Sequence, residues 1–391
     1  MDDATRGSRR SHQNQLVTPR DGERRRSDNL RIVAARRGGV FTVADAQALG
    51  FPRGRRRTLV AAGDWTVLRT GVLAETHLVA LAARDPRGTH ALHTAAALAV
   101  MGTPTAPVAA AYGLSAACVL RLDIPGAPPD RPRVVLPPVR GSGGRTGETL
   151  ALRRAGLPAE HAVAISGVRT TGPARTVADL ARRLPFGDAV LAADSAYRTW
   201  GAGIREQLED VAGLCSGWPG AAGIGPVLAF SDVRSESALE TRGRLAMDRQ
   251  GLAPPRTQCW VGETGPEFRA DFGWEEQRTI GEADGRVKYT DANVLWEQAR
   301  REERMHDLGF EVVRFDWSGA GREEELAGRF CRAFDRGRSA HVRGRFFPDP
   351  GWWTAGGSTP VPYERDGEPT AWWLHDPAEL RELYEFDELD D

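Results

Sequence analysis

The chain has 391 residues, 41% of them hydrophobic, with 52 Lys+Arg against 53 Asp+Glu and a formal net charge of -1. That length implies roughly two to three domains, and no apolar run approaches the ~18 residues needed to cross a bilayer, which excludes a membrane anchor. Residues 1–29 hold no apolar stretch able to form a signal-peptide core, so a cytoplasmic location is expected, and Cys118, Cys215, Cys259 and Cys331 stand too far apart for a disulfide framework or a zinc site.

Residues 1–28 are polar and Arg-rich, with too little apolar surface to offset ordering entropy, and are expected to form a disordered basic arm. Residues 1–57 hold 14 Arg against 6 Asp+Glu, a net of +8, whereas residues 376–391 carry a net of -7. Such asymmetry fits a polyanion-binding N-terminus with an acidic tail, and equally two solvated ends. Residues 29–77 then read as three short helices and a hairpin. Leu30–Arg37 stops at Gly38-Gly39; Val43–Leu49 is capped by Thr42 and ends at Gly50; a third helix opens at Pro52 and closes at Gly63; two short strands flank Thr70-Gly71. This is the layout of a winged helix-turn-helix.

Residues 78–230 mix an Ala-rich helix at His93–Met101, a strand at Arg133–Leu136, a Gly/Ser/Arg loop at 140–147 and helices near Ala174–Arg183 and Asp188–Tyr197, which predicts an α/β or α+β middle domain. His90 and His93 lie three apart with no third ligand nearby and are expected to cap or pack. From Ser235 the pattern clears. SALETRGRLAMDRQG reads as an amphipathic helix; Gln258–Val261, Phe268–Trp274 and Arg278–Asp284 read as successive strands; a charged helix spans Asp291–Leu308, a strand Phe310–Trp317 and a last helix Arg322–Arg336. Residues 341–391 form a tail in which Trp352-Trp353 and Trp372-Trp373 either fold back or stack on a partner. The fold class expected is α/β, an α+β multidomain chain ending in an α/β sandwich over residues 231–340.

Asp271 stands at the centre of one predicted strand and Glu282 on the next, so a hairpin brings the two carboxylates abreast; Glu282 and Asp284, two apart, share a face. Carboxylates gathered on one face repel unless a cation neutralises them, and oxygen donors suit Mg²⁺. Glu240, from the preceding helix, can add a further carboxylate. Lys288 is the only lysine among the 52 basic residues. It marks a position where a compact, deprotonatable amine is needed, and six residues past Glu282 it can activate a water or offset charge on a scissile phosphate. The alternative is that these are solvated residues at strand edges.

The stretches ESALETRGR, QCWV, FRADFGW, RTIGEADGRVKY and LWEQARREERMHDLGFEVVRFDW, covering about residues 235–335, together resemble the restriction-endonuclease-like domain of very-short-patch-repair-type nucleases in the PD-(D/E)xK superfamily. The resemblance implies catalytic roles for Glu240, Asp271, Glu282 and Lys288 around Mg²⁺ (or Mn²⁺); the strand face that Asp284 shares with Glu282, not the resemblance, places Asp284 with Asp271 and Glu282 as a third metal ligand. Two positions depart from the pattern: no Pro precedes Asp271, and Asp284 fills the slot that usually holds Lys. The segment RIVAARRGGVFTVADAQALGFPRGRRRTLVAAGDWTVLRTGVLA resembles the winged helix of abortive-infection antitoxins of type IV toxin–antitoxin systems, as GVRTTGPARTVADLARR resembles that family's second region. This implies DNA contacts from Arg53, Arg55, Arg56 and Arg57 on the third helix and from Arg69 in the wing, although Arg56, three before Leu59, sits where an inward face wants an apolar side chain. Two functions are expected: a DNA-binding Mg²⁺-dependent endonuclease, or a non-catalytic autorepressor and antitoxin with a cognate toxin as partner.

Overall fold

The computed structural model describes residues 19–101, 109–139, 145–284, 300–301, 303–339 and 343–348. The chain opens with α1 (Pro19–Ala35), β1 (Val40–Thr42), α2 (Val43–Ala48), α3 (Arg53–Ala61), β2 (Trp65–Arg69) and β3 (Val72–Glu75), whose strands form an antiparallel sheet in the order β1-β3-β2. Thr42 and Asp45 make a reciprocal capping box that starts α2: the Thr42 hydroxyl accepts the Asp45 N–H and the Asp45 carboxylate accepts the Thr42 N–H. Trp65 holds the small core, with Phe41 and Phe51 edge-on at 4.8 and 5.1 Å between ring centroids.

The basic arm differs from expectation. Residues 19–28, read as disordered, are the first turns of α1. Their charges find partners in the folded chain: Glu23 pairs with Arg55 of α3, Asp28 pairs with Arg31 one turn on within α1, and the stem of Arg26 passes close to Gly50. Arg-rich composition alone does not register these pairings. Residues 1–18 lie outside the described residues.

The middle of the chain runs through α4 (Thr76–Ala82), α5 (Pro86–Ala99), β4 (Ala110–Ala111), α6 (Leu114–Val119), β5 (Arg133–Leu136), β6 (Arg145–Thr146), β7 (Ala151–Arg154), β8 (Ala162–Ile165), β9 (Val168–Thr171), α7 (Pro173–Ala181), α8 (Phe186–Trp200), α9 (Ile204–Leu214) and α10 (Ile224–Phe230). Its six strands are ordered β6-β7-β5-β4-β9-β8, with β5–β7 and β4–β9 parallel. Leu92, Leu120, Leu122, Val190 and Leu208 fill the core, which extends to Val40 and Val72 of the first sheet. His90 is buried and bonds Ser115 Oγ at 2.7 Å, while His93 is exposed.

The C-terminal unit contains α11 (Ala238–Arg249), β10 (Arg256–Gly262), β11 (Phe268–Trp274), β12 (Thr279–Ala283), β13 (Glu311–Phe315), helices Trp317–Gly321 and Glu323–Ser339, and β14 (Arg345–Phe347). The sheet order is β13-β12-β11-β10-β14: an antiparallel meander, β13 parallel to β12, and β14 antiparallel to β10. The boundary expected at residue 340 therefore cuts off an edge strand. Phe346 anchors that strand, packing edge-on against Phe310 at 5.5 Å. One sheet face carries Phe272, Trp274 and Phe315 against Leu239 and Met247 of α11 and Phe330 of the helix Glu323–Ser339. The other packs Cys259 and Ile280 against Met305 and Leu308. Of the helix read over Asp291–Leu308, residues 291–299 and 302 lie outside the described residues, as do both Trp pairs of the tail. The molecule is thus an α/β multidomain fold of mixed sheets, and among the described residues no helix is long and apolar enough to cross a membrane.

A candidate acidic site on the C-terminal sheet

Glu240 owes its position to the start of α11. Ser237 caps that helix and its Oγ accepts the Glu240 N–H at 3.1 Å, so Glu240 occupies the third helical position and its carboxylate turns back over the helix end. Its Oε2 accepts the Glu236 N–H and the Gln258 side-chain amide, both at 2.9 Å. One turn on, Gly243 lets the helix lie against β13: a Cβ there would stand 2.4 Å from the Phe315 ring.

Asp271 sits in β11, where its Oδ2 accepts the backbone N–H of Ala283 at 2.8 Å, bonding it across the hairpin to β12. Continuing the Phe272–Gly281 register by one step places Glu282 opposite Asp271, as the alternation in the sequence implied. Gln258 of β10 links the cluster from the other side. Its amide nitrogen reaches Asp271 Oδ1 at 3.4 Å as well as Glu240, and its backbone takes φ +47°. Glu282 is buried and accepts from Arg301 at 3.1 Å. Asp284 is more exposed and pairs with Arg314 at 3.4 Å.

The electrostatics follow from this crowding. Burial pushes the Glu240 carboxyl up to about 7, and the charge of Asp271 adds to the rise. Burial likewise pushes Glu282 up to about 7; Arg301 opposes the shift, while Asp271 and Asp284 reinforce it. Burial also raises Asp271, against the bonds it accepts from Ala283 and Gln258. A carboxyl poised near neutrality holds or releases a proton easily. Cys259, next to this cluster, is held by burial at about 12 and is inert as a thiolate.

The structure thus brings Glu240, Asp271 and Glu282 into one electrostatically coupled cluster, with Asp284 at its margin. Lys288 lies outside the described residues. The donor set is all oxygen, the kind a hard divalent cation takes. As the side chains stand, no group of three His, Cys, Asp or Glu among the described residues is arranged to hold an ion. The Gln258 amide bridges Glu240 and Asp271, and Arg301 occupies Glu282. Neither Gln258 nor Arg301 was singled out from the sequence. A polar residue heading the apolar run Cys259–Val261 is a signal for Gln258, whereas Arg301 is one arginine in a charged helix and carries none.

The arginines expected at DNA divide by environment. Arg53, Arg55 and Arg57 are exposed along α3, with Arg55 paired to Glu23. Arg56 is half-buried and donates to the Phe51 carbonyl at 2.6 Å, which makes it part of the helix packing. Arg69 ends β2 beside the hairpin turn and is half-buried.

No family model matches the chain. The uncharacterized proteins MT2308 and Rv2248, from two strains of Mycobacterium tuberculosis, are each similar to it, with 30% identity over 178 residues. The match covers 45% of this chain and 65% of each relative's length.

Proposed function

We propose that this chain is a DNA-binding protein whose C-terminal domain hydrolyses DNA phosphodiester bonds with Mg²⁺ (or Mn²⁺). The observation that carries the reading is the meeting of Glu240 and Glu282 at Asp271, Glu240 through the shared Gln258 amide and Glu282 directly across the hairpin. A cluster holding more acid than its own cations neutralise gains most from a divalent ion. Asp271 and Glu282 would hold that ion, with Asp284 alongside, and a divalent cation there supplies charge stabilisation at the phosphoryl oxygens. Gln258 orients the carboxylates of Glu240 and Asp271. Glu240, near neutrality, is suited to pass a proton, and Lys288 is the amine assigned to orient and activate the attacking water. Arg53, Arg55 and Arg57, on one exposed helix, supply phosphate and base contacts, and Arg69 the wing contact.

The test is plasmid nicking by the purified full chain. Cleavage is expected with Mg²⁺, none with EDTA, and none from Asp271→Ala; activity surviving that substitution rejects the assignment.

A second reading is favoured by the ion pairs Arg301–Glu282 and Arg314–Asp284, which neutralise two of the acids from within. In it the C-terminal domain is a scaffold, and the protein is a transcriptional autorepressor or antitoxin that engages a cognate toxin. It predicts promoter binding that weakens steeply with salt, and no cleavage.

A further inference from the structure

A second concentration of charge lies in the middle of the chain, far in sequence from the acidic cluster. On α7 and the turn after it, Arg175, Asp179, Arg182 and Arg183 follow one another at helical spacing. The buried Asp179 carboxylate takes Arg175 at 3.0 Å, Arg182 at 3.0 Å and Arg183 at 3.5 Å. One acid cannot neutralise three guanidinium groups. Arg182 is committed inward, donating twice to the Pro219 carbonyl and stacking on Trp218. Arg175 stacks on the same indole, its Cζ 4.6 Å from the ring centroid, and its Nη1 contacts His161 Nδ1 at 3.4 Å. An imidazole nitrogen facing a guanidinium serves as a neutral acceptor, so His161 brings neither compensating nor additional charge.

Beside this cluster lies a shallow, open depression walled by Tyr112, Arg153, Thr171, Arg175, Asp179 and Arg183. Arg153 reaches it from β7 and meets no carboxylate among the described residues. The charged walls carry three guanidinium groups and one carboxylate, a net of +2. A phosphate monoester carries about -1.5 to -2 near neutral pH, which matches that excess, whereas a carboxylate leaves half of it uncompensated. Planar guanidinium forks also suit phosphoryl oxygens better than an ammonium does.

We propose that this depression binds a phosphate monoester group, gripped by Arg153 and Arg183 at the rim and by Arg175 at its base. Beside the depression, burial lowers the Arg182 pKa first and repulsion from Arg183 next, Asp179 and Cys215 oppose the shift, and Arg153 adds a smaller repulsion. The same chemistry is offered by free phosphate, by a mononucleotide and by the 5′-phosphorylated end of a nucleic acid.

The experiment is calorimetric titration of the full chain at low salt with inorganic phosphate, AMP, and a short oligonucleotide with and without a 5′-phosphate. Acetate serves as the carboxylate control. At least one phosphate monoester probe is expected to bind, and Arg153→Ala and Arg183→Ala each to weaken it at least 10-fold. Arg153→Lys should recover part of the loss, and Arg338→Ala, on the C-terminal helix, should change nothing. Equal binding of phosphate and AMP identifies the phosphoryl group alone as ligand; tighter binding of the phosphorylated oligonucleotide than of its 5′-hydroxyl counterpart identifies a nucleic-acid end. The proposal is overturned if no phosphate probe binds at millimolar concentration, if acetate binds as well, or if thermally intact Arg153→Ala and Arg183→Ala proteins bind like the parent.

Discussion

Arg244 of α11 and Asp194 of α8 form a buried ion pair at 2.6 Å across the junction between the middle and C-terminal parts of the chain. The same carboxylate accepts from the Thr241 hydroxyl and the Asp232 N–H, both at 2.9 Å. Glu240 precedes Thr241, so the helix that presents it is held from the middle domain. Asp194→Ala removes a carboxylate that accepts from three donors and leaves the buried Arg244 guanidinium without its counter-charge, which costs about 3–5 kcal/mol. Chemical denaturation should show that loss. An unchanged midpoint would mean that the pair does not hold the junction.

The acidic cluster makes stability fall as pH rises. Glu240 and Glu282 bind protons more tightly in the folded chain, at about 7, than their ordinary value of 4.5. Between those values the folded state holds the extra protons, so the stabilisation is complete below about pH 4.5 and is lost as pH climbs through 7. It amounts to of order 3 kcal/mol for each group. Glu240→Gln and Glu282→Gln should each flatten this slope and raise stability at pH 8. Denaturation curves from pH 5 to 8 measure it, and parallel slopes in parent and variants would contradict the cluster's electrostatics.

Gly243 sets how closely α11 approaches β13. Gly243→Ala drives a methyl group into the Phe315 ring, and overpacking of this kind costs about 1–3 kcal/mol. Because Glu240 lies on the preceding turn, nicking activity should fall along with thermal stability. A variant as stable and active as the parent would show that the helix has room to yield.

The arginines of α3 should separate in DNA binding. Arg53→Ala and Arg57→Ala each remove an exposed contact and should lower the salt dependence of DNA affinity by about one counterion. Arg56→Ala breaks its bond to the Phe51 carbonyl and should cost about 1 kcal/mol of stability with little change in that dependence. Filter binding across a salt series resolves the two classes.

Much of the fold was legible because its elements carry strong periodic signals. The strand Arg133–Leu136, the three strands of the C-terminal meander and the Thr42 cap all stand where alternation and capping residues placed them. The opposition of Asp271 and Glu282 followed from strand spacing alone. What stayed hidden depends on partners distant in sequence. The start of α1 needs Glu23 beside Arg55, β14 needs Phe346 on Phe310, and the arginine-lined depression needs Arg153 of β7 brought up to α7. Gln258 is marked in the sequence only as a polar residue heading an apolar run; its left-handed backbone and its bridge between two acids become visible once β10, β11 and α11 are assembled.

Uptake of a divalent cation by Asp271 and its neighbours can be read from calorimetric titration of Mg²⁺ into the full chain at pH 8, where Glu240 and Glu282 are mostly ionised. The parent protein should bind Mg²⁺ saturably, and Asp271→Asn should weaken that binding at least 10-fold while keeping the fold. Absence of saturable binding in the parent, or an indistinguishable isotherm from the variant, would mean that these carboxylates hold no divalent ion.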